Sequence, residues 1–232
     1  MKINKTIIIS SVFITLEIIL AILIQFTHNY LNIFVSYLSI ALAAAFPLFF
    51  IKNKNYLLIQ IGLLFTLFAD LFLVVIMPML QVPAMICFSI TQTCYFLRIY
   101  YNQTSKKERI IHLIIRIISI IIIQIITVIV LKEKTDFLSL ISTFYYINLI
   151  INIIFAFKQK ESSILFPIGL LLFACCDLQV GLIVLNSSYI NIENNLILSF
   201  IVDPPFNLVW LFYVPSQTLI ALSIIKDKTS TN

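Results

Sequence analysis

Eight apolar stretches, each close to twenty residues long, divide this chain from end to end: about 7–27, 31–51, 56–76, 80–101, 109–131, 136–157, 164–185 and 206–225. About 20 apolar residues in a helix span the roughly 30 Å of bilayer hydrocarbon. Inside hydrocarbon only a helix, or a closed barrel, satisfies its own backbone. The runs are twice the length of a barrel strand, so the spacing predicts an all-α, polytopic membrane bundle of about eight transmembrane helices in one domain, residues 1–232. Composition agrees: 61% of residues are hydrophobic and 11% charged, against about 25% charged in soluble domains. Lys2 and Lys5 followed by an apolar run resemble a signal peptide, but the run 7–27 is long for one and has no small-residue cleavage site, so a retained first helix is expected.

The basic residues set the orientation. Lys2, Lys5, Lys52, Lys54, Arg98, Lys106, Lys107, Arg109, Lys158, Lys160, Lys226 and Lys228 fall on one side of an eight-span model, and only Lys132 and Lys134 fall on the other. Basic loops stay in the cytoplasm, which predicts a cell-membrane protein with both termini cytoplasmic. The formal charge of +5 is thereby used up by topology, and no nucleic-acid partner is expected. Arg116 lies inside the fifth run, where it could reach a lipid phosphate; snorkelling to the surface is the default.

Three acids lie within apolar runs: Glu17, Asp70 and Asp177. An intramembrane charge costs about 2.5–3.5 kcal/mol on insertion scales and marks a functional site by default. Asp70 stands fourteen residues after Tyr56, and Asp177 thirteen after Ile164. Both helices run outward, so the two carboxyls sit at matched depth, about 10 Å from the outer surface. Their surroundings repeat as well. Gly62-Leu63-Leu64 precedes Asp70-Leu71 and Gly169-Leu170-Leu171 precedes Asp177-Leu178, while Gln92-Thr93 and Gln217-Thr218 follow on the next helix of each half. A parallel four-plus-four repeat explains this; coincidence in an Ile/Leu-rich chain is the alternative.

Polar residues at helical spacing accompany the acids: Ser89, Gln92 and Thr93; Tyr145, Asn148 and Asn152; Asn207, Trp210, Tyr213 and Gln217. Each alone reads as an interhelical hydrogen bond. Together they suggest a polar interior facing the aspartates. Glu17, somewhat deeper, is either a further member of that site or a carboxyl bonded to a neighbouring helix. The cysteines Cys87, Cys94, Cys175 and Cys176 lie in apolar runs without metal-ligand spacing and read as small buried side chains. His28 and His112 stand at opposite ends of their helices, so no multi-histidine zinc site is expected.

GLLFTLFADLFL (62–73), FSITQTCYFLRIY (88–100), GLLLFACCDL (169–178) and VWLFYVPSQTLIALS (209–223) resemble the YhhN-like lysoplasmalogenase family. The resemblance implies a membrane hydrolase that cleaves the vinyl ether of lysoplasmalogens to a fatty aldehyde and a glycerophospho head group, acting on a lysophospholipid drawn from membrane lipid. It implies catalytic roles for Asp70 and Asp177 and substrate contacts for Tyr213 and Gln217, to which the polar faces and the third intramembrane acid add Gln92, Asn148 and Glu17 as candidates. No metal or organic cofactor is implied. Relatives usually carry Gly-Asp and Ser-Asp where this chain has Ala69-Asp70 and Cys176-Asp177, and Gln92 stands where many have His. Vinyl ether hydrolysis requires a protonated acid and a second group that steadies the cation or orients water, and a buried carboxyl pair sharing one proton provides both. The residues alone leave two other readings: a lipid-binding or small-solute transport protein using the same polar interior, and a structural bundle whose aspartates bind helices together. The charge bias carries its own test. A reporter fused after Asn232 should read cytoplasmic, and a periplasmic or extracellular signal would overturn the eight-helix topology.

Overall fold

The computed structural model describes residues 5–50, 54–76, 80–103, 105–159, 163–188 and 204–225. Of the topology-setting residues, Lys2, Lys52, Lys160, Lys226 and Lys228 lie outside these, as does most of the predicted outer loop 186–205.

Among the described residues eight helices follow one another: α1 (Lys5–Phe26), α2 (Asn29–Ala45, continued by a 3-10 turn Phe46–Phe50), α3 (Lys54–Asp70), α4 (Gln81–Asn102), α5 (Lys106–Leu131), α6 (Phe137–Phe157), α7 (Leu165–Ser188) and α8 (Leu208–Leu222). Seven helices are long and apolar enough to cross a membrane, and α8 is a shorter apolar helix. Its 15 residues rise about 22 Å, and the buried turn residues Ser223 and Ile224 carry its packing further.

The helices meet in a closed order. α2, α3, α4, α6, α7 and α8 form a ring, each packed on the next, with α8 returning to α2. α1 packs outside on α2 and α8, and α5 outside on α6. The outer helix α5 is inverted relative to a soluble helix. In α5 the buried residues are His112, Arg116 and Thr127, while Ile110, Ile114, Ile117, Ile118, Ile121 and Ile125 are exposed. Lipid is as apolar as any core, so an apolar face gains little by turning inward, and polar groups are what a membrane bundle collects.

Two clasps and a cap hold the periphery. Gln25 on α1 donates to the Asn207 carbonyl at 3.2 Å and accepts from its N–H at 2.8 Å, which fixes α1 to the start of α8. Asn32 donates to the Ile24 carbonyl at 2.8 Å across the α1–α2 turn, where Asn29 adopts a left-handed φ of 55°. α6 begins with a capping box in which Asp136 accepts from Ser139 N–H at 2.8 Å. That bond and the Ser139 hydroxyl hold the exposed Asp136 carboxyl below its usual range.

The repeat seen in the sequence recurs in the packing. A Cβ built on Gly62 of α3 would sit 2.5 Å from the Tyr95 ring of α4, and Thr91 donates to the Gly62 carbonyl at 3.0 Å. A Cβ on Gly169 of α7 would sit 2.7 Å from Ile220 Cγ1 of α8 and 3.0 Å from the Ser216 carbonyl. One shift along the chain carries Gly62 onto Gly169 and Asp70 onto Asp177; a second carries Thr91, Gln92 and Tyr95 onto Ser216, Gln217 and Ile220. Each aspartate is therefore borne on a helix drawn against its successor by a glycine eight residues earlier.

Two basic residues depart from expectation. Arg98 was expected at the loop but is fully buried, its guanidinium 4.0 Å over the Phe166 ring. Arg116 was expected to snorkel but is 6% exposed, because hydrogen-bond acceptors on α6 lie within its reach.

The glycines give a test. Gly169→Val has to displace backbone and should destabilise the protein by about 1–3 kcal/mol, the usual range for overpacking. Gly181→Ala, where an added Cβ meets nothing within 4 Å, should be neutral or gain up to about 1 kcal/mol of helix propensity. Thermal unfolding of the two purified variants separates these outcomes.

Candidate functional site

α3 delivers Asp70 at its last regular turn. Directly after it the backbone widens into a single π-turn over Leu71–Val75, with Ile76 N–H reaching the Leu71 carbonyl at 2.9 Å. Such insertions cluster at functional sites because they re-aim side chains without ending the helix. Asp70 is 3% exposed and its Oδ2 accepts from the Tyr213 hydroxyl of α8 at 2.6 Å.

Asp177, half-buried on α7, accepts from the Tyr145 hydroxyl of α6 through its Oδ2. The two aspartate–tyrosine pairs are one cluster. Asp70 and Asp177 lie within electrostatic range of each other, and the Cys176 thiol lies within range of both. Phe173 separates the two phenols, with its ring centroid 5.4 Å from that of Tyr213 and 6.3 Å from that of Tyr145. Phe88 closes on Tyr145 and Phe173 at 5.4 and 5.8 Å, and Trp210 lies against Tyr213 at 5.4 Å. The arrangement offers two carboxyls that can exchange protons with a bound molecule. Each is oriented by one phenol, and aromatic rings pack against both phenols.

The other expected members are placed differently. Gln217 is buried on the Tyr213 face of α8, but its amide donates only to Ser216 Oγ at 3.4 Å and its Oε1 has no partner. Glu17 is bonded to a neighbouring helix, accepting from Ser39 Oγ at 2.6 Å. Gln92 and Asn148, expected to face the aspartates, are drawn instead into a second polar network around Arg116 between α4, α5 and α6. Arg116 Nη1 donates to Asn148 Oδ1, and Nη2 donates to Asn152 Oδ1 at 2.6 Å and lies 3.1 Å from His112 Nε2. Asn152 Nδ2 then donates to Gln92 Oε1 at 2.9 Å. The physical reason is that a buried guanidinium has only donors and competes successfully for amide oxygens. Ser89 and Thr93 bond back to their own helix, at Met85 and Ser89 carbonyls.

Sequence reading passed over Tyr37 and Phe173. Tyr37 of α2 lies within range of Asp70, and a signal existed: Tyr37 and Tyr145 each stand one helix before their aspartate, at almost the same interval. Cys176 was read as filler, although its place beside Asp177 puts it at both carboxyls. Among the described residues no group of three or more His, Cys, Asp or Glu side chains converges as a metal site.

The model of the YhhN family matches residues 31–224 of this chain, taking in both aspartates and both tyrosines. No curated protein and no solved structure matches it. The hydroxyl that meets Asp70 can be tested by itself. Tyr213→Phe leaves a buried carboxyl oxygen without its donor, which should cost about 1–3 kcal/mol. Tyr30→Phe, at a side chain 88% exposed, should leave thermal stability unchanged.

Proposed function

The chain belongs to the YhhN family, and from that membership we propose that it is a membrane hydrolase that cleaves the vinyl ether of lysoplasmalogens, with Asp70 and Asp177 as its acid–base pair. The observation that supports this reading is the meeting of two intramembrane carboxyls, each bonded to a tyrosine hydroxyl, in one cluster.

The chemistry closes on the pair. One carboxylic acid gives its proton to the carbon of the enol ether remote from oxygen, leaving an oxocarbenium ion beside the carboxylate it has become. Water adds to the cationic carbon while the second carboxylate takes a proton from it, forming a hemiacetal. The second acid then protonates the ether oxygen as the carbon–oxygen bond breaks, and the hemiacetal hydroxyl returns a proton to the first. One water is consumed, aldehyde and glycerophospho alcohol leave, and both aspartates regain their starting state. Low local dielectric strengthens the attraction between the cation and the carboxylate formed beside it. Tyr145 and Tyr213 hold the carboxyls in position throughout. Gln217, on the Tyr213 face, is retained as a substrate contact, whereas Glu17 serves the α1–α2 packing.

In this reading the protein sits in the cell membrane with both termini cytoplasmic, and the lipid reaches the pair from the side of the half-buried Asp177. Asp70→Asn and Asp177→Asn keep the shape and much of the hydrogen bonding but can neither give nor hold the required proton. Each should lower aldehyde release by about 10²–10⁴-fold while the protein stays inserted and folded. A wild-type protein that releases no aldehyde from vinyl ether lysolipids, or an Asn variant with full activity, overturns the mechanism.

A further inference from the structure

The network around Arg116 is built around a charge with no counter-charge. Arg116 is 6% exposed. Its partners, Asn148, Asn152 and His112, are amide oxygens and an imidazole nitrogen, and its guanidinium lies 4.3 Å over the Phe96 ring. Among the described residues no carboxylate pairs with it. Its Nε, buried, donates to nothing. Asn152 passes the network on to Gln92, which is 0% exposed and whose Nε2 also lacks a partner. A buried donor left unsatisfied is destabilising, and an uncompensated buried charge more so. The network thus has spare N–H donors, a positive charge and no anion, which is the complement of an acceptor-rich anion. Arginine is the side chain best suited to phosphate. The field toward the start of α5 has the same sign, since Lys158 lies within electrostatic range of His112.

The spacing to the aspartates is also informative. Tyr145, the Asp177 partner, shares α6 with Asn148 and Asn152, three and seven residues further on. At 1.5 Å per residue the network lies about 4.5–10 Å along α6 from the carboxyl cluster. In a lysophospholipid five single bonds separate the enol-ether oxygen from phosphorus, an extended reach of about 6 Å at bond lengths near 1.5 Å.

The geometry points to an anion site in which Arg116 and the Gln92 amide N–H, the guanidinium positioned by Asn148 and Asn152, hold the phosphate of a lysophospholipid whose sn-1 ether lies at Asp70 and Asp177. The assignment rests on the function proposed above, and it makes Gln92 a head-group residue and Asn148 one that positions the guanidinium. It also sets the direction of the head group: phosphate toward the end where α5 begins.

Non-cleavable ligands separate this site from the chemistry. The full-length protein in nanodiscs is titrated with a saturated 1-O-alkyl lysophospholipid, with the matching 1-O-alkylglycerol lacking phosphate, and with inorganic phosphate. The alkyl lysophospholipid should bind wild type at least tenfold more tightly than the alkylglycerol. Arg116→Gln should abolish that preference and leave alkylglycerol affinity unchanged. Gln92→Glu supplies the missing anion from within. It should abolish the preference too, without lowering the melting temperature, and so serves if Arg116→Gln does not fold. Equal binding of the two lipids by wild type, or an undiminished preference in both variants, overturns the proposal. Binding of inorganic phosphate with no preference between the lipids overturns the lipid assignment in favour of a free-anion site. Because neither lipid is cleaved, a wild type that releases no aldehyde refutes the hydrolase reading and leaves the binding result standing.

Discussion

Hydrocarbon offers no hydrogen-bond partner, so every polar side chain in this bundle has to find one on another helix or on its own backbone. That constraint decides most of the architecture. The outer helix α5 turns His112, Arg116 and Thr127 inward and its isoleucines outward, and α1 turns Glu17 inward. Thr91 ties α4 to the Gly62 carbonyl of α3, Ser39 ties α2 to Glu17 of α1, and Tyr145 and Tyr213 tie α6 and α8 to the aspartates of α7 and α3. The same bonds that assemble the helices compose the site, so packing and chemistry are not separable here.

Depth and helix count were legible in the sequence because both follow from a fixed rise per residue. Asp70 and Asp177 stand at matched heights in runs long enough to cross the bilayer, and they lie within electrostatic range of each other. The glycines eight residues before them were legible for a related reason, since a residue without a side chain permits close approach and here faces Tyr95 and Ile220. What helical spacing cannot encode is which neighbour a face meets. Tyr145, Asn148 and Asn152 form one stripe on α6, yet the tyrosine goes to α7 and the asparagines to α5. Gln92 follows Asn152 rather than the aspartates.

Arg98 and Arg116 show the corresponding limit for charge. Both look like surface residues when counted by position, but one lies on the Phe166 ring and the other among amide oxygens. An arginine stays inside when aromatic faces and acceptors are within the length of its side chain, and only the tertiary arrangement reveals whether they are. The π-turn after Asp70 left no mark in the sequence, because Leu71–Val75 has the composition of an ordinary apolar helix.

The partner of Asp70 lies 143 residues further along the chain, on the last helix. A chain made from its N-terminus therefore inserts α3 long before α8 exists. During that interval the carboxyl is in the membrane without the phenol that later receives it. Completion of the bundle by α8 and completion of the site are the same event. A nascent protein arrested after α7 would hold both aspartates, yet be left with a polar defect in the bilayer. Quality control that surveys membranes for exposed charge could recognise that defect as the mark of an unfinished protein.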